Sequence, residues 1–302
     1  MEFDDIRAFV AIADAGSVSH AARELYLTQP AVTRRLQRLE RLLGTPLLDR
    51  RRRPFALTEA GRAALEQSRR VLHSVQELRA ATARGNLPFG ELRIGVAHAL
   101  TELTLAEPVD HVRLAFPQVV LRLSTGWSRD LLGRVRSGAL DAAVVLLPER
   151  EHLPNGVSGE QVGQERLVVV APRQGNSRCV QEIGDLGGIS WVLNPEGCGA
   201  RAALQRALLR AGVNMSVAVE TYNYELQLSL VARKRGLSLV PARILARSRL
   251  RSRLRALRIR GLDFRLTLWV VRGQVTTQLD AVLVELSRVL VARLSVPRSR
   301  TH

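Results

Sequence analysis

The stretch from Ser17 to Glu40, SVSHAARELYLTQPAVTRRLQRLE, reads as two short helices joined by a tight turn. Ser17 can cap the first helix, which carries Val18, Ala21, Ala22 and Leu25 on one face. Tyr26 and Leu27 make the turn, and Thr28 caps the second helix. Pro30 is tolerated in the first turn, where the N–H it lacks has no helical partner. Val32, Leu36, Leu39 and Leu43 recur at helical spacing and predict a stripe facing the core. Upstream, Ile6, Phe9, Val10 and Ala13 share a face of a helix that Gly16 stops.

On the second helix of the pair, the side opposite the apolar stripe carries Gln29, Thr33, Arg34, Gln37 and Arg38. These residue types read base edges and phosphates: arginine is bidentate to guanine, glutamine to adenine, and threonine offers a hydroxyl and a methyl. Residues nearest the N-terminus of such a helix enter the major groove deepest, so Gln29, Pro30, Thr33 and Arg34 are the expected base contacts. Arg35 and Arg38 are expected at phosphates, and the capping hydroxyls of Ser17 and Thr28 join the candidate DNA contacts. A solvated basic face is the plain alternative, and the succession of cap, short turn and cap weighs against it. Downstream, Arg50, Arg51, Arg52 and Arg53 lie between Leu47-Leu48 and Phe55-Ala56-Leu57, two runs that can pair as a hairpin with Pro54 at an edge. A basic wing beside the helix follows, reaching toward phosphates or the minor groove.

The 302 residues are too many for one ordinary domain. No run approaches the roughly 18 apolar residues of a membrane span, and the acidic N-terminus is unlike a signal peptide, so a cytoplasmic location is expected. Cys179 and Cys198 form no disulfide framework or zinc pattern, and both are expected reduced. The formal charge of +17 favours an anionic partner. Its distribution complicates that inference, because residues 1–88 hold 15 arginines against 10 carboxylates while residues 89–302 hold 30 bases against 18. Every base but Lys234 is arginine, a bias that genome composition explains.

After the hairpin, Thr58 can cap a helix running to about Arg84, ended by Gly85 and Pro88 and about 40 Å long at 1.5 Å per residue. Its apolar positions Leu65, Leu72, Val75 and Leu78, with Ala64 and Val71 alongside, ask for a partner helix. Beyond residue 89 the pattern becomes βαβαβ: strands at 91–96, 119–123 and 142–147, with helices from about Thr101 to Phe116 and from Ser128 to Ser137. It restarts with strands at 166–171, 191–193, 217–220 and 237–240 and helices at 201–211 and 225–235. A strand at 266–271 and a helix from Thr276 to Leu294 close the chain. Parallel sheet with helices outside is expected in two similar lobes.

The run Gly16 to Leu25, then Thr28-Gln29-Pro30-Ala31-Val32-Thr33-Arg34, Leu39-Glu40, Leu43-Gly44 and Leu57-Thr58-Glu59-Ala60-Gly61, closely resembles the N-terminal domain of LysR-type transcriptional regulators, without gaps over about sixty residues. Thr28 and Thr33 stand where that family usually has serine, Arg52 stands at the wing tip where glycine is frequent, and Ser238 replaces the second glycine of the segment Gly236 to Pro241. The resemblance implies a winged helix-turn-helix at 1–57 (all-α with a small β wing), a linker and dimerisation helix with hinge at 58–88, and an effector-binding domain at 89–302. That last part would be two-lobed α/β of the periplasmic-binding-protein type 2, with lobe I at about 90–160 and 266–302 and lobe II at about 161–265. The implied partners are double-stranded DNA, a small-molecule effector and a second copy of the chain, as a homodimer or homotetramer, with no cofactor, metal or membrane.

In such folds the effector lies between the lobes, beyond strand ends and near helix N-termini. The positions that would surround it are His98, Thr101, Thr125, Trp127, Ser128 and Leu147 from the first lobe. Asn194, Gly197, Cys198, Arg201, Thr221 and Tyr222 would come from the second. Each also has a plain structural role: Thr101 and Ser128 as helix caps, Trp127 in packing, His98 at the surface. The arginine excess of the C-terminal half favours an anionic effector, a carboxylate among the choices. Arg243 to Arg260 holds eight arginines and no acid, read as a solvated face or subunit contact before an effector site. Redox sensing by Cys198 is a lesser alternative. Enzymatic motifs such as His-Glu-x-x-His, the Gly-x-Ser-x-Gly elbow or a phosphate-binding glycine loop do not occur, so catalysis on this scaffold is not expected. A plain solute-binding protein would lack the DNA-reading front end.

Overall fold

The computed structural model describes residues 2–49, 51, 55–82, 88–101, 106–149, 151–174, 180–273 and 277–294. Arg50, Arg52, Arg53, Pro54, Arg84, Gly85 and Cys179, each assigned a place above, lie outside the described residues.

The N-terminal body is three helices and a hairpin: α1 (Phe3–Ala15), α2 (Val18–Glu24), α3 (Gln29–Leu43), β1 (Leu48–Asp49) and β2 (Ala56–Leu57). Phe9, Ile12, Val32, Leu36, Leu39 and Leu47 form its enclosed centre. Leu43 departs from the expected stripe and is 46% exposed, because α3 ends there and Gly44 turns the chain away from the core. The turn between α2 and α3 is made as expected, with Tyr26 at positive φ and 95% exposed.

The linker helix α4 (Glu59–Thr82) is anchored by Thr58. The Thr58 hydroxyl donates to the carbonyl of Pro46 (2.8 Å) and accepts from the Gly61 amide (2.9 Å), while the Thr58 amide donates to the carbonyl of Leu47 (3.0 Å). The start of α4 is therefore tied to the segment just before β1. A methyl group on Gly61 would sit 2.0 Å from the Leu47 carbonyl oxygen, so only glycine fits. Farther along, the expected apolar stripe divides. Ala64, Leu65 and Leu72 pack on the N-terminal core, whereas Val71 and Leu78 stay 40% and 65% exposed.

The remainder is built on a seven-stranded mixed sheet in the order β10-β6-β11-β5-β3-β4, with β9 also paired to β6. Its strands are β3 (Gly90–Ala97), β4 (Val119–Gly126), β5 (Ala142–Pro148), β6 (Ser158–Pro172), β9 (Ser238–Pro241), β10 (Leu254–Leu257) and β11 (Phe264–Arg272). The parallel pairing expected of the βαβαβ unit holds for β4-β3-β5, with α5 (His98–Thr101), α6 (Ala106–Ala115) and α7 (Ser128–Arg136) in the crossovers. Of the helix expected from Thr101 to Phe116, α5 and α6 cover the described parts, and residues 102–105 lie outside the described set.

The second lobe adds the parallel pair β7 (Ser190–Leu193) and β8 (Ser216–Glu220), bridged to the main sheet at Trp191 and Leu237. Around them lie α8 (Gly199–Arg210), α9 (Tyr224–Ala232) and α10 (Ala242–Arg247), and α11 (Thr277–Leu294) packs back on the first lobe.

Two departures from expectation share one cause. The strand read at 166–171 is the end of the 15-residue β6, whose first half, Ser158 to Gln164, is mostly polar and glycine and carries no apolar alternation. It is a strand because β11 pairs with it along its length, and the same β6–β11 ladder joins the lobes. α10 and β10 likewise follow from tertiary contacts. The buried carboxylate of Glu165 accepts from the Arg243 amide (3.2 Å) and pairs with its guanidinium (3.0 Å), which fixes the start of α10. Burial pushes the Glu165 carboxyl above its ordinary range, against the pull of Arg243.

Candidate functional site

Helix α3 presents two different basic faces. The Ser17 and Thr28 hydroxyls accept from the amides of His20 and Ala31, each at 3.4 Å, so both act as helix caps as the sequence requires. Gln29 donates to the hydroxyl of Ser19 (2.7 Å) and ties the exposed ends of α2 and α3 together. Pro30 and Arg34 are exposed, with the Arg34 Nε donating back to the Pro30 carbonyl (3.4 Å), and Thr33 is half-buried between them and the core. Gln37 is exposed one turn farther on.

Arg35 and Arg38 turn instead toward α1. Arg35 pairs with Asp4 at 3.0 Å, and Arg38 spans Asp5 (2.8 Å) and Glu2 (3.2 Å). Asp5 is enclosed, with one oxygen taken by Arg38 and the other by the Glu2 amide (3.2 Å). These acids were legible only as an acidic N-terminus; their partners are 31 or more positions away in sequence. Glu40 was also missed. Its carboxylate accepts from the amides of Leu47 (2.9 Å) and Leu48 (3.4 Å), which holds the wing to α3. Between α3, the hairpin and the start of α4 runs an open groove of about 820 Å³ flanked by Gln37, Asp49, Arg51 and Arg62. Arg51 is exposed beside it.

The cleft between the lobes is occupied by rings. His98 and Trp127, from the ends of β3 and β4, meet Tyr222, which follows β8. The Trp127–Tyr222 rings stack at 5.5 Å and 27°, and His98 sits edge-on to Trp127 at 4.9 Å and tilted to Tyr222 at 5.1 Å. Trp127 also rests on Gly197 of the opposite lobe. A Cβ there would lie 2.8 Å from the indole, and φ is +94°, so the loop needs glycine twice over. Burial lowers the His98 pKa, which favours the neutral imidazole.

Most of the other expected cleft residues are committed elsewhere. Leu147 is 1% exposed and belongs to the core, because β5 is covered on both faces; it does not face the cleft. Ser128 is not the cap of α7: Trp127 holds that position, and the Ser128 hydroxyl accepts from the Leu146 amide (3.1 Å). Thr101 lies within α5, which starts at His98, so it does not cap that helix, and its hydroxyl donates to the His98 carbonyl (2.7 Å). Thr125 is exposed at the end of β4. The Arg201 guanidinium is nine-tenths buried, bound to Glu220 (2.6 Å) and to the Asn194 carbonyl (3.2 Å). Glu220 gave no sequence signal, since alternate positions of a strand look alike until the helix beside it is placed. The Cys198 thiol is buried and its pKa raised by that burial, which favours the protonated thiol.

Behind the rings lies a buried polar chain. Asn194 and Gln227 both donate to the Thr221 carbonyl (3.4 and 2.9 Å), and the Ser238 hydroxyl donates to Gln227 Oε1 (2.8 Å), with Gln227 and Ser238 both enclosed. Serine at 238, where glycine was the expectation, is thus explained by the side-chain oxygen of Gln227. Ser238→Gly is expected to leave that oxygen unsatisfied and cost about 1–3 kcal/mol. Chemical denaturation of the two proteins measures it, and an unchanged midpoint would contradict the account.

Two family profiles match the chain: bacterial regulatory helix-turn-helix protein, lysR family, over residues 3–62, and LysR substrate binding domain over residues 85–284. The HTH-type transcriptional regulator CzcR of Bacillus anthracis is 33% identical over 241 residues, covering 80% of each chain. Among solved structures, a full-length OxyR variant of Pseudomonas aeruginosa superposes with a TM-score of 0.74 at 19% identity, covering 96% of this chain and 98% of that one. CbnR complexed with its target DNA superposes at 0.59 and 26% identity, covering 96% and 100%.

Proposed function

Because the chain belongs to the LysR family of bacterial transcriptional regulators, we propose that it recognises promoter DNA through α3 and answers to a small molecule held between its C-terminal lobes. Residues 1–57 form the reading head, 58–88 the linker and 89–302 the sensor. Gln29, Pro30, Thr33 and Arg34 meet base edges. Ser17, Thr28 and the wing arginines meet phosphates, and Arg35 and Arg38, braced by α1, offer their remaining donors to the backbone. The observation that carries this reading is the exposed N-terminal half of α3, with Gln29 and Arg34 on the face opposite the buried Val32, Leu36 and Leu39.

Two copies pair through α4, where Val71 and Leu78 extend past the N-terminal core. The role is regulatory, without catalysis, and the working compartment is the cytoplasm. In support, no helix among the described residues is long and apolar enough to cross a membrane.

Gel shifts with the DNA upstream of the gene test the reading. A preferred fragment should emerge whose affinity falls steeply with salt, whereas equal binding to random DNA would exclude sequence-specific control. Arg34→Ala should cost about 1–3 kcal/mol on that fragment and much less on random DNA. A uniform loss on both would make Arg34 a phosphate contact.

A further inference from the structure

We infer that the effector is a planar aromatic or heteroaromatic compound, recognised by insertion of its ring against Trp127, Tyr222 and His98. The inference rests on the interlobe reading of the effector site and names its chemical class.

The side chains at the cleft divide into two kinds. Several of those able to fix a charged or strongly polar ligand are already engaged by the protein. Arg201 is paired with Glu220 and bound to the Asn194 carbonyl, its enclosed Nε without a partner among the described residues, and Ser128, Thr101 and Asn194 are bound to main-chain groups. Among the described residues, no hydrogen bond or ion pair engages the side chains of Trp127, Tyr222 or His98, which meet one another and, for Trp127, Gly197. Trp127 and Tyr222 come from opposite lobes and stack across the gap, and Tyr222 is 53% exposed. His98 is pushed toward its neutral form, so it adds another flat, uncharged face.

A ring entering here exchanges one stack for two. The Trp127–Tyr222 contact, at 27° and 5.5 Å, is an imperfect stack, and a flat ligand between them gains an offset stack on each side. A puckered aliphatic ring of the same size cannot do this. Because Trp127 also rests on Gly197, displacement of the indole is felt by the second lobe directly, which couples occupancy to the lobe angle.

Calorimetric titration of the full chain with benzoate, benzamide and cyclohexanecarboxylate separates flatness from charge. Benzoate and benzamide are expected to bind within a few-fold of each other and to quench Trp127. The other two tryptophans lie in strands of the core, Trp191 enclosed and Trp269 half-buried. Cyclohexanecarboxylate is expected to bind at least about tenfold more weakly. Tyr222→Phe should keep the preference for flat rings and Tyr222→Leu should remove most of it, both at an exposed position that does not threaten folding.

If cyclohexanecarboxylate matches benzoate, the aromatic class is wrong while the interlobe site stands. If flat probes bind equally well to Tyr222→Leu and Trp127→Leu, the ring lies elsewhere, and both the class at this site and the site itself fall. If neither flat probe binds, the inference is overturned. DNA binding, read independently by gel shift, is unaffected by any of these outcomes.

Discussion

Gly61→Ala is expected to abolish specific DNA binding while leaving the C-terminal body folded. The added methyl would stand 2.0 Å from the Leu47 carbonyl oxygen and 3.0 Å from its carbon, and these are main-chain atoms that cannot rotate away. That carbonyl also accepts the Thr58 amide, and Thr58 in turn binds the Pro46 carbonyl and the Gly61 amide. Relieving the clash therefore requires α4 to lift from the hairpin, breaking this set of bonds and loosening Leu47 in the centre of a small core. Overpacking costs about 1–3 kcal/mol and more where backbone must move, so a loss of about 3 kcal/mol is expected. In a domain of this size that lowers its melting temperature by roughly 12–24 °C. Scanning calorimetry should show the N-terminal transition displaced and the main one in place. Gly133→Ala in α7, where the added methyl meets nothing within 4 Å, is the control and should be neutral or slightly stabilising. A normal N-terminal transition in Gly61→Ala would refute the packing argument.

Trp191→Ala is expected to act on the other body, costing about 3–5 kcal/mol. Trp191 is fully enclosed at the junction where β7 meets β8 and bridges to β9, with the Val192 amide donating to the Leu237 carbonyl at 2.7 Å. The indole N–H finds no partner among the described residues, so the lost stability is packing alone. Trp191→Phe, which keeps most of the ring and removes the unpaired donor, should recover the greater part of it. The main calorimetric transition should fall by roughly 10 °C in Trp191→Ala while the N-terminal one is unmoved. The two buried clusters share no residue, and a coupled shift of both transitions would show that they do not melt independently.

The N-terminal body was legible because its signals are local. A capping hydroxyl and the amide it serves are three residues apart, as in Ser17 with His20 and Thr28 with Ala31. A helix stripe repeats every three or four residues, so Val32, Leu36 and Leu39 declare their face without reference to anything else. The lobes were legible as alternating elements for the same reason. β6 was read short because half of it has no apolar period. At the cleft, His98, Trp127 and Tyr222 could be picked out in sequence because strand ends and helix starts are local features, and the fold brings their rings together. The sequence could not tell a residue that faces the cleft from one that faces the core, and Leu147 is the clearest case.

The sequence by itself therefore determined α3 and its caps, the long helix α4 and the order of strands and helices that makes two lobes. Only the tertiary structure decided which charges are spent and which are free. Arg35 and Arg38 are held by Asp4 and Asp5, Arg201 by Glu220, and Trp127 is laid on Tyr222 from 95 positions away. Each of these contacts joins residues whose separation in the chain bears no relation to any helical or strand period. Their energy depends on distance and burial, which exist only once the chain has closed on itself.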